Sequence, residues 1–156
     1  MSLKDFQALE KSISTDKDIA IVVNCAGLIY KGAIIETKCE EAGNLMKVNM
    51  MHPVLMTTAF LPRLLSRKEK SGIINVSSIL GQTLVPGMTY YCASKRFLSF
   101  FTEGLQTEMH LDGKQVHFLD YRPGMVATNM SKGKPGFFCI LPEDAALRSL
   151  DDLGNT

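Results

Sequence analysis

The sequence predicts an α/β domain built on a parallel sheet, on three observations. Apolar, largely β-branched runs recur at Ile19 to Asn24, Gly72 to Ser77 and Val116 to Tyr121, each of strand length. Segments of helical periodicity separate them. Each run also ends in polar residues or glycine, at Asn24-Cys25-Ala26-Gly27, Ser77-Ser78 and Arg122-Pro123-Gly124. In parallel α/β sheets, sites collect at those C-terminal strand ends.

Taken in order, Phe6, Leu9 and Ile13 recur at three and four, which predicts an amphipathic helix over 3–14. The run 19–24 has the composition of a strand buried on both faces. Thr37 to Glu40 reads as a capping box that opens a helical region over 38–67, interrupted near Asn49 and Pro53, where the proline removes a backbone donor. The second strand is 72–77. After the Pro86-Gly87 turn, residues 89–111 form a long helix whose Phe97, Leu98, Phe101, Leu105 and Met109 make an apolar stripe, read as core or interface. The third strand, 116–121, stops at Pro123-Gly124. Ser131 to Gly136 has the composition of a mobile loop, and a last helix starts at Pro142 and runs to about Leu153.

At 156 residues the chain is sized for a single domain, 1–156. A formal charge of +1, with both signs mixed throughout, gives no field that would draw nucleic acid. Cys25, Cys39, Cys92 and Cys139 are widely spaced and His52, His110 and His117 are isolated, so no metal site is expected and the thiols read as reduced and intracellular. The most apolar region, 50–65, is interrupted by His52, Pro53, Pro62 and Arg63, and no membrane span is expected.

The candidate chemistry centres on Tyr91 and Lys95, four residues apart and therefore neighbours on one helix face. A free phenol titrates near ~10. A lysine charge roughly 5 Å away at an effective dielectric of about 20 favours the phenolate by ~3 kcal/mol, about two pKa units, which suits a general acid or base. The same spacing also occurs on solvated helix faces, so the pair alone does not decide its role.

The ordered set Asn24-x-Ala26-Gly27, Asn49, Ser78, Tyr91-x-x-x-Lys95 and Pro123-Gly124-x-Val126-x-Thr128 resembles the short-chain dehydrogenase/reductase family. Ile73 to Ser78, Val126 to Met130 and the tail from Phe137 are similar to its 17-beta-hydroxysteroid dehydrogenase and very-long-chain 3-oxoacyl-CoA reductase branch. The resemblance implies a Rossmann-like doubly wound sheet and an NAD(P)-dependent oxidoreductase acting on a small carbonyl or alcohol substrate, with NADP expected and NAD the alternative. It implies Tyr91 as proton donor, Ser78 as hydrogen-bond donor to the substrate oxygen, and Lys95 on Tyr91 and the nicotinamide ribose. Asn49 is implied to hold a water leading to Lys95; without the resemblance it reads as a helix-kink side chain. Asn24, Ala26 and Gly27 are implied to line the cofactor path, though the same residues also read as a strand-ending turn. Pro123, Gly124, Val126 and Thr128 are implied to frame the nicotinamide. Helices 50–66 and 89–111 resemble the family's dimer-forming pair, so a homodimer through them is expected.

One part of the family pattern is missing. No G-x-G-x-x-G or G-x-x-x-G-x-G that would seat a pyrophosphate occurs in these residues. The expected fold is therefore the C-terminal half of the doubly wound sheet, lacking the glycine-rich first βαβ unit. Residues 19–24 are then expected to be an exposed apolar edge, and cofactor binding by this chain alone is doubtful. The expected location is cytoplasmic, or the endoplasmic reticulum where an anchor precedes these residues. Two readings stand: an oxidoreductase of which these residues are one part, or a non-catalytic remnant used for pairing.

Overall fold

The computed structural model describes residues 3–12 and 18–155. In chain order they form helix α1 (Leu3–Ser12), strand β1 (Ile21–Asn24), helix α2 (Cys39–Met46), a π-helical turn (Lys47–Met51), helix α3 (His52–Leu65) and strand β2 (Ser71–Val76). Helix α4 (Thr89–Leu111), strands β3 (Val116–Tyr121), β4 (Met125–Val126) and β5 (Cys139–Ile140), and helix α5 (Pro142–Gly154) follow. The predicted start of the first helix holds, while Ile13 lies outside the described residues.

β1, β2 and β3 pair in parallel in that order, with Val22 beside Ile73 and Ile73 beside Phe118. These residues face α3 and α4 and pack with Ala59, Phe60, Leu64 and Met109 into the main core. On the opposite face α5 lies over β2 and β3, its Leu153 seated on Gly72. No helix among the described residues is long and apolar enough to cross a membrane.

Four details differ from the sequence expectation. β1 is not buried on both faces: Val22 and Asn24 are buried, while Ile21 and Val23 are 41% and 49% exposed. The cause is coverage, since α5 packs on β2 and β3 and β1 is the sheet's outer strand. The capping box sits one residue later than predicted, with the Lys38 amide donating to Glu41 (3.2 Å), while the Thr37 hydroxyl donates to the Ala33 carbonyl. The helix interruption expected near Asn49 and Pro53 is present but differs in form: it is the π-helical turn around Asn49, after which α3 begins at His52 with Pro53 in its first turn. The segment 131–136 is tied into a turn. Ser131 Oγ donates to the Val126 carbonyl (2.6 Å) and accepts from the Gly133 amide (3.1 Å), and β4 pairs with β5 around it.

Candidate active site

Helix α4 carries the centre of the site, and its neighbours set the side chains. The short turn Ile79–Gly81 after β2 presses on α4 so closely that a Cβ at Gly81 would lie 3.0 Å from the Lys95 carbonyl carbon. That contact brings Ser78, the residue leading into the turn, against Tyr91. The Ser78 hydroxyl accepts from the Leu80 amide (3.1 Å) and lies close enough to the Tyr91 phenol to favour its ionised form. Ser78, Tyr91 and Lys95 are all buried.

The electrostatics depart from the sequence expectation. Burial raises the Tyr91 phenol above its ordinary value of 10.0, and the Ser78 hydrogen bond offsets this only in part. Lys95 does not pull the phenol down. Its Nζ lies 5.7 Å from the Tyr91 ring centroid and donates to the Val76 carbonyl at the end of β2 (2.7 Å). Burial lowers Lys95 itself from 10.5 to about 8, against the charges of Cys25 and Asp120, which favour its protonated form. Desolvation is the largest cause of the shift in both groups.

Asn49 is almost fully buried inside the π-helical turn. Such a turn inserts one residue into a helix and re-aims its neighbours, often at functional sites. Here Asn49 accepts from the Leu28 amide (2.7 Å) and donates to the Leu28 carbonyl (2.9 Å) and to Ser94 Oγ (3.0 Å). Both amide protons are used, so the side chain staples the segment after β1 onto α4. Ser94 continues the link by donating to the Tyr91 carbonyl (2.8 Å).

Asn24 is buried at the end of β1 and donates to Asn75 Oδ1 (2.8 Å). Asn75 donates to Thr102 Oγ1 (2.9 Å), which donates to the Leu98 carbonyl (2.7 Å). Sequence reasoning missed Asn75, Ser94 and Thr102. A signal existed for Asn75, an amide within an otherwise apolar buried run, where an unpaired polar group would be costly.

The remaining expected residues surround this cluster. Ala26 is exposed and Gly27 half-buried; a Cβ on Gly27 would lie 3.6 Å from Lys95 Nζ and 3.7 Å from Asn49 Oδ1. The structure therefore brings Gly27, Asn49, Lys95, Tyr91 and Ser78 together. Pro123 accepts from the Ile79 amide (3.2 Å) and Gly124 lies beside Ile79, so both border the Ser78 turn. Val126 and Thr128 belong to the Ser131 turn, and Thr128 is exposed. Among the described residues no cluster of His, Cys, Asp or Glu could hold a metal.

A parallel sheet with helices on both faces and a Ser, Tyr and Lys cluster at its C-terminal rim places the chain among Rossmann-type α/β proteins. More narrowly, residues 4–135 match the short chain dehydrogenase family, and the chain belongs to it. It is 32% identical over 137 residues to human 17-beta-hydroxysteroid dehydrogenase 13, covering 86% of this chain and 45% of that protein. It is 34% identical over 113 residues to rat dehydrogenase/reductase SDR family member 7B, covering 72% and 34%. A short chain dehydrogenase from Burkholderia cenocepacia, solved in complex with NADP, superposes with a TM-score of 0.82 at 30% identity, covering 98% of this chain and 62% of that one. The bulky-bulky ketone specific alcohol dehydrogenase from Comamonas testosteroni does so with a TM-score of 0.75 at 26% identity, covering 97% and 59%. The chain thus spans only part of the length of each of these relatives.

Proposed function

We propose that residues 1–156 are the proton-relay part of one catalytic domain in an NAD(P)-dependent oxidoreductase. The whole protein would reduce a ketone or 3-oxoacyl carbonyl of steroid or fatty-acyl type. The observation that carries this is the buried Ser78 hydroxyl beside the Tyr91 phenol, with Lys95 against the phenol ring. A nicotinamide, when bound, supplies the hydride to the carbonyl carbon. Ser78 Oγ accepts from Leu80 and sits beside the Tyr91 phenol, and its single proton would turn to the substrate oxygen as charge grows there. Tyr91, with its pKa raised, stays protonated at neutral pH and is an acid, which suits reduction more than alcohol oxidation.

The residues fit the nicotinamide end of such a cofactor. Gly27 has no side chain to fill the space next to Lys95 Nζ and Asn49, and Asn24 Oδ1 is buried without a hydrogen-bond partner. Lys95 would hold the ribose hydroxyls, with Asn24, Ala26 and Gly27 along one side. Pro123, Gly124, Val126 and Thr128 would frame the other. We assign NADP as the cofactor, supported by the NADP complex of the Burkholderia relative. Titrating NADPH and NADH against this chain and an N-terminally extended form tests the assignment, with tight binding expected only in the extended form. The extended form should reduce ketones with NADPH, and unchanged turnover in its Tyr91→Phe variant would sink the mechanism. For the 156-residue chain we expect no measurable NADPH-dependent reduction.

A second reading, a pairing module, is favoured by the exposure of Ile21 and Val23 on β1, Met51 near the start of α3 and Phe100 on α4. Helices 50–66 and 89–111 would form its homodimer contact. Sedimentation of wild type and Phe100→Lys separates the readings. A dimer lost in the variant supports pairing through these helices, and a wild-type monomer rules it out.

A further inference from the structure

The loop between β4 and β5 carries the most exposed aromatic side chains of the described residues. Phe137 and Phe138 are 95% and 86% exposed and meet edge to face at 4.9 Å between ring centroids. Two adjacent phenyl rings in water are unfavourable by their apolar area, and monomeric proteins rarely leave such groups uncovered without use. The rings do not hang from a slack segment. Gly136 and Cys139 exchange both backbone hydrogen bonds across them (2.9 and 3.1 Å). Beneath, Gly133 packs so tightly that a Cβ would lie 2.9 Å from Cys139 Sγ and 3.2 Å from Met125 Sδ. Lys132 holds the left-handed conformation (φ 51°) that closes the turn.

Along the chain, the charge flanking the rings is of one sign from Arg122 up to Glu143. Lys132 and Lys134 are exposed in the same loop, and no aspartate or glutamate occurs between Arg122 and Glu143. Aromatic side chains projecting from a tied turn, with lysines beside them and no acid nearby, match what an anionic bilayer surface offers: an apolar layer under negative headgroups. A neutral apolar groove on another protein would use the rings but give the lysines no partner.

We propose that the 131–138 loop is a membrane-surface wedge, with Phe137 and Phe138 entering the headgroup boundary of an anionic leaflet and Lys132 and Lys134 pairing with its phosphates and carboxylates. The wedge is independent of the catalytic reading, because it uses no residue of the Ser78, Tyr91 and Lys95 cluster.

The test is cosedimentation of the full chain with phosphatidylcholine vesicles, with and without phosphatidylserine. Binding is expected only with phosphatidylserine and should weaken with salt. Phe137→Ser with Phe138→Ser should reduce partitioning at least about tenfold. Lys132→Glu or Lys134→Glu should each reduce it about fivefold or more. All four side chains are exposed, and matching circular dichroism confirms that the variants fold. Leu84→Ser, at another exposed apolar side chain (84% exposed), should bind as wild type. Equal partitioning of the double-Phe variant and wild type overturns the proposal. So does equal binding to vesicles lacking phosphatidylserine. Self-association abolished by the double-Phe change, without vesicle binding, also overturns it and makes the loop a contact between copies of the chain.

Discussion

Lys95→Met offers a direct measure of how strongly the fold desolvates the site. Lys95 is 5% exposed, and burial lowers its pKa from 10.5 to about 8. In the unfolded chain the group titrates near its ordinary value. Between about pH 8 and about pH 10.5 the folded chain therefore holds fewer protons than the unfolded one, and stability rises with pH. Below that window both forms are protonated and the destabilisation is present in full. Each pKa unit corresponds to about 1.4 kcal/mol, so the whole window is worth about 3 kcal/mol. Urea unfolding of wild type and Lys95→Met from about pH 7 to about pH 9.5 isolates this group, because other titrations cancel in the difference. The upper limit avoids the phenol of Tyr91. The stability of wild type relative to the variant should be flat up to about pH 8 and then rise by about 2 kcal/mol by about pH 9.5. The variant also leaves the Val76 carbonyl without its lysine donor, an offset of about 1–3 kcal/mol that does not change with pH. A difference that stays flat through the window would refute the desolvation argument.

The other expectations concern the hydrogen-bonded supports and the one-sided sheet. Asn49→Ala removes three bonds at once and should destabilise the chain by about 3 kcal/mol, with faster amide exchange at Leu28 as its local sign. Asn75→Ala leaves the buried Asn24 side-chain amide without its acceptor and the Thr102 hydroxyl without one of its two partners, and should cost about 2–4 kcal/mol in urea unfolding. Phe118→Ala, in the core, should cost about 3–5 kcal/mol. Val23→Thr, on the exposed face of β1, should stay within about 0.5 kcal/mol of wild type by the same measurement.

Sequence patterns located the elements well where burial and periodicity agree. Helix α4 runs over the predicted residues 89–111 and β3 over 116–121, because Met109, Val116 and Phe118 face one core and Leu105 packs against it. Composition misjudged the burial of β1, because a β-branched run looks the same whether one face or both are covered, whereas its place as an exposed apolar edge was expected and is observed. Coverage depends on where α5 lands. The parallel strands β4 and β5 were also illegible, since two residues show no alternation and their pairing depends on the Ser131 turn. At the site, the spacing of Tyr91 and Lys95 correctly placed them side by side, and motif order placed Ser78 with them. The direction of the Tyr91 shift was not readable from spacing. It turns on Lys95 reaching the Val76 carbonyl and on burial of both groups, which only the packed arrangement reveals.

Two buried amides divide the work of holding this arrangement. Asn49 joins the segment after β1 to α4 through Leu28 and Ser94, and Asn75 joins β1 to α4 through Asn24 and Thr102. Both links end on the helix that carries Tyr91 and Lys95, and neither uses Ile21, Val23 or the outer edge of β1. The placement of Tyr91 and Lys95 is therefore braced without the exposed side of β1. Val23→Thr should consequently leave the pH dependence assigned to Lys95 unchanged, while Asn49→Ala, by loosening the loop that lies over Lys95 Nζ, should admit water and narrow the window in which stability rises with pH. If both variants altered that window equally, the relay and the open edge of β1 would have to be one coupled unit.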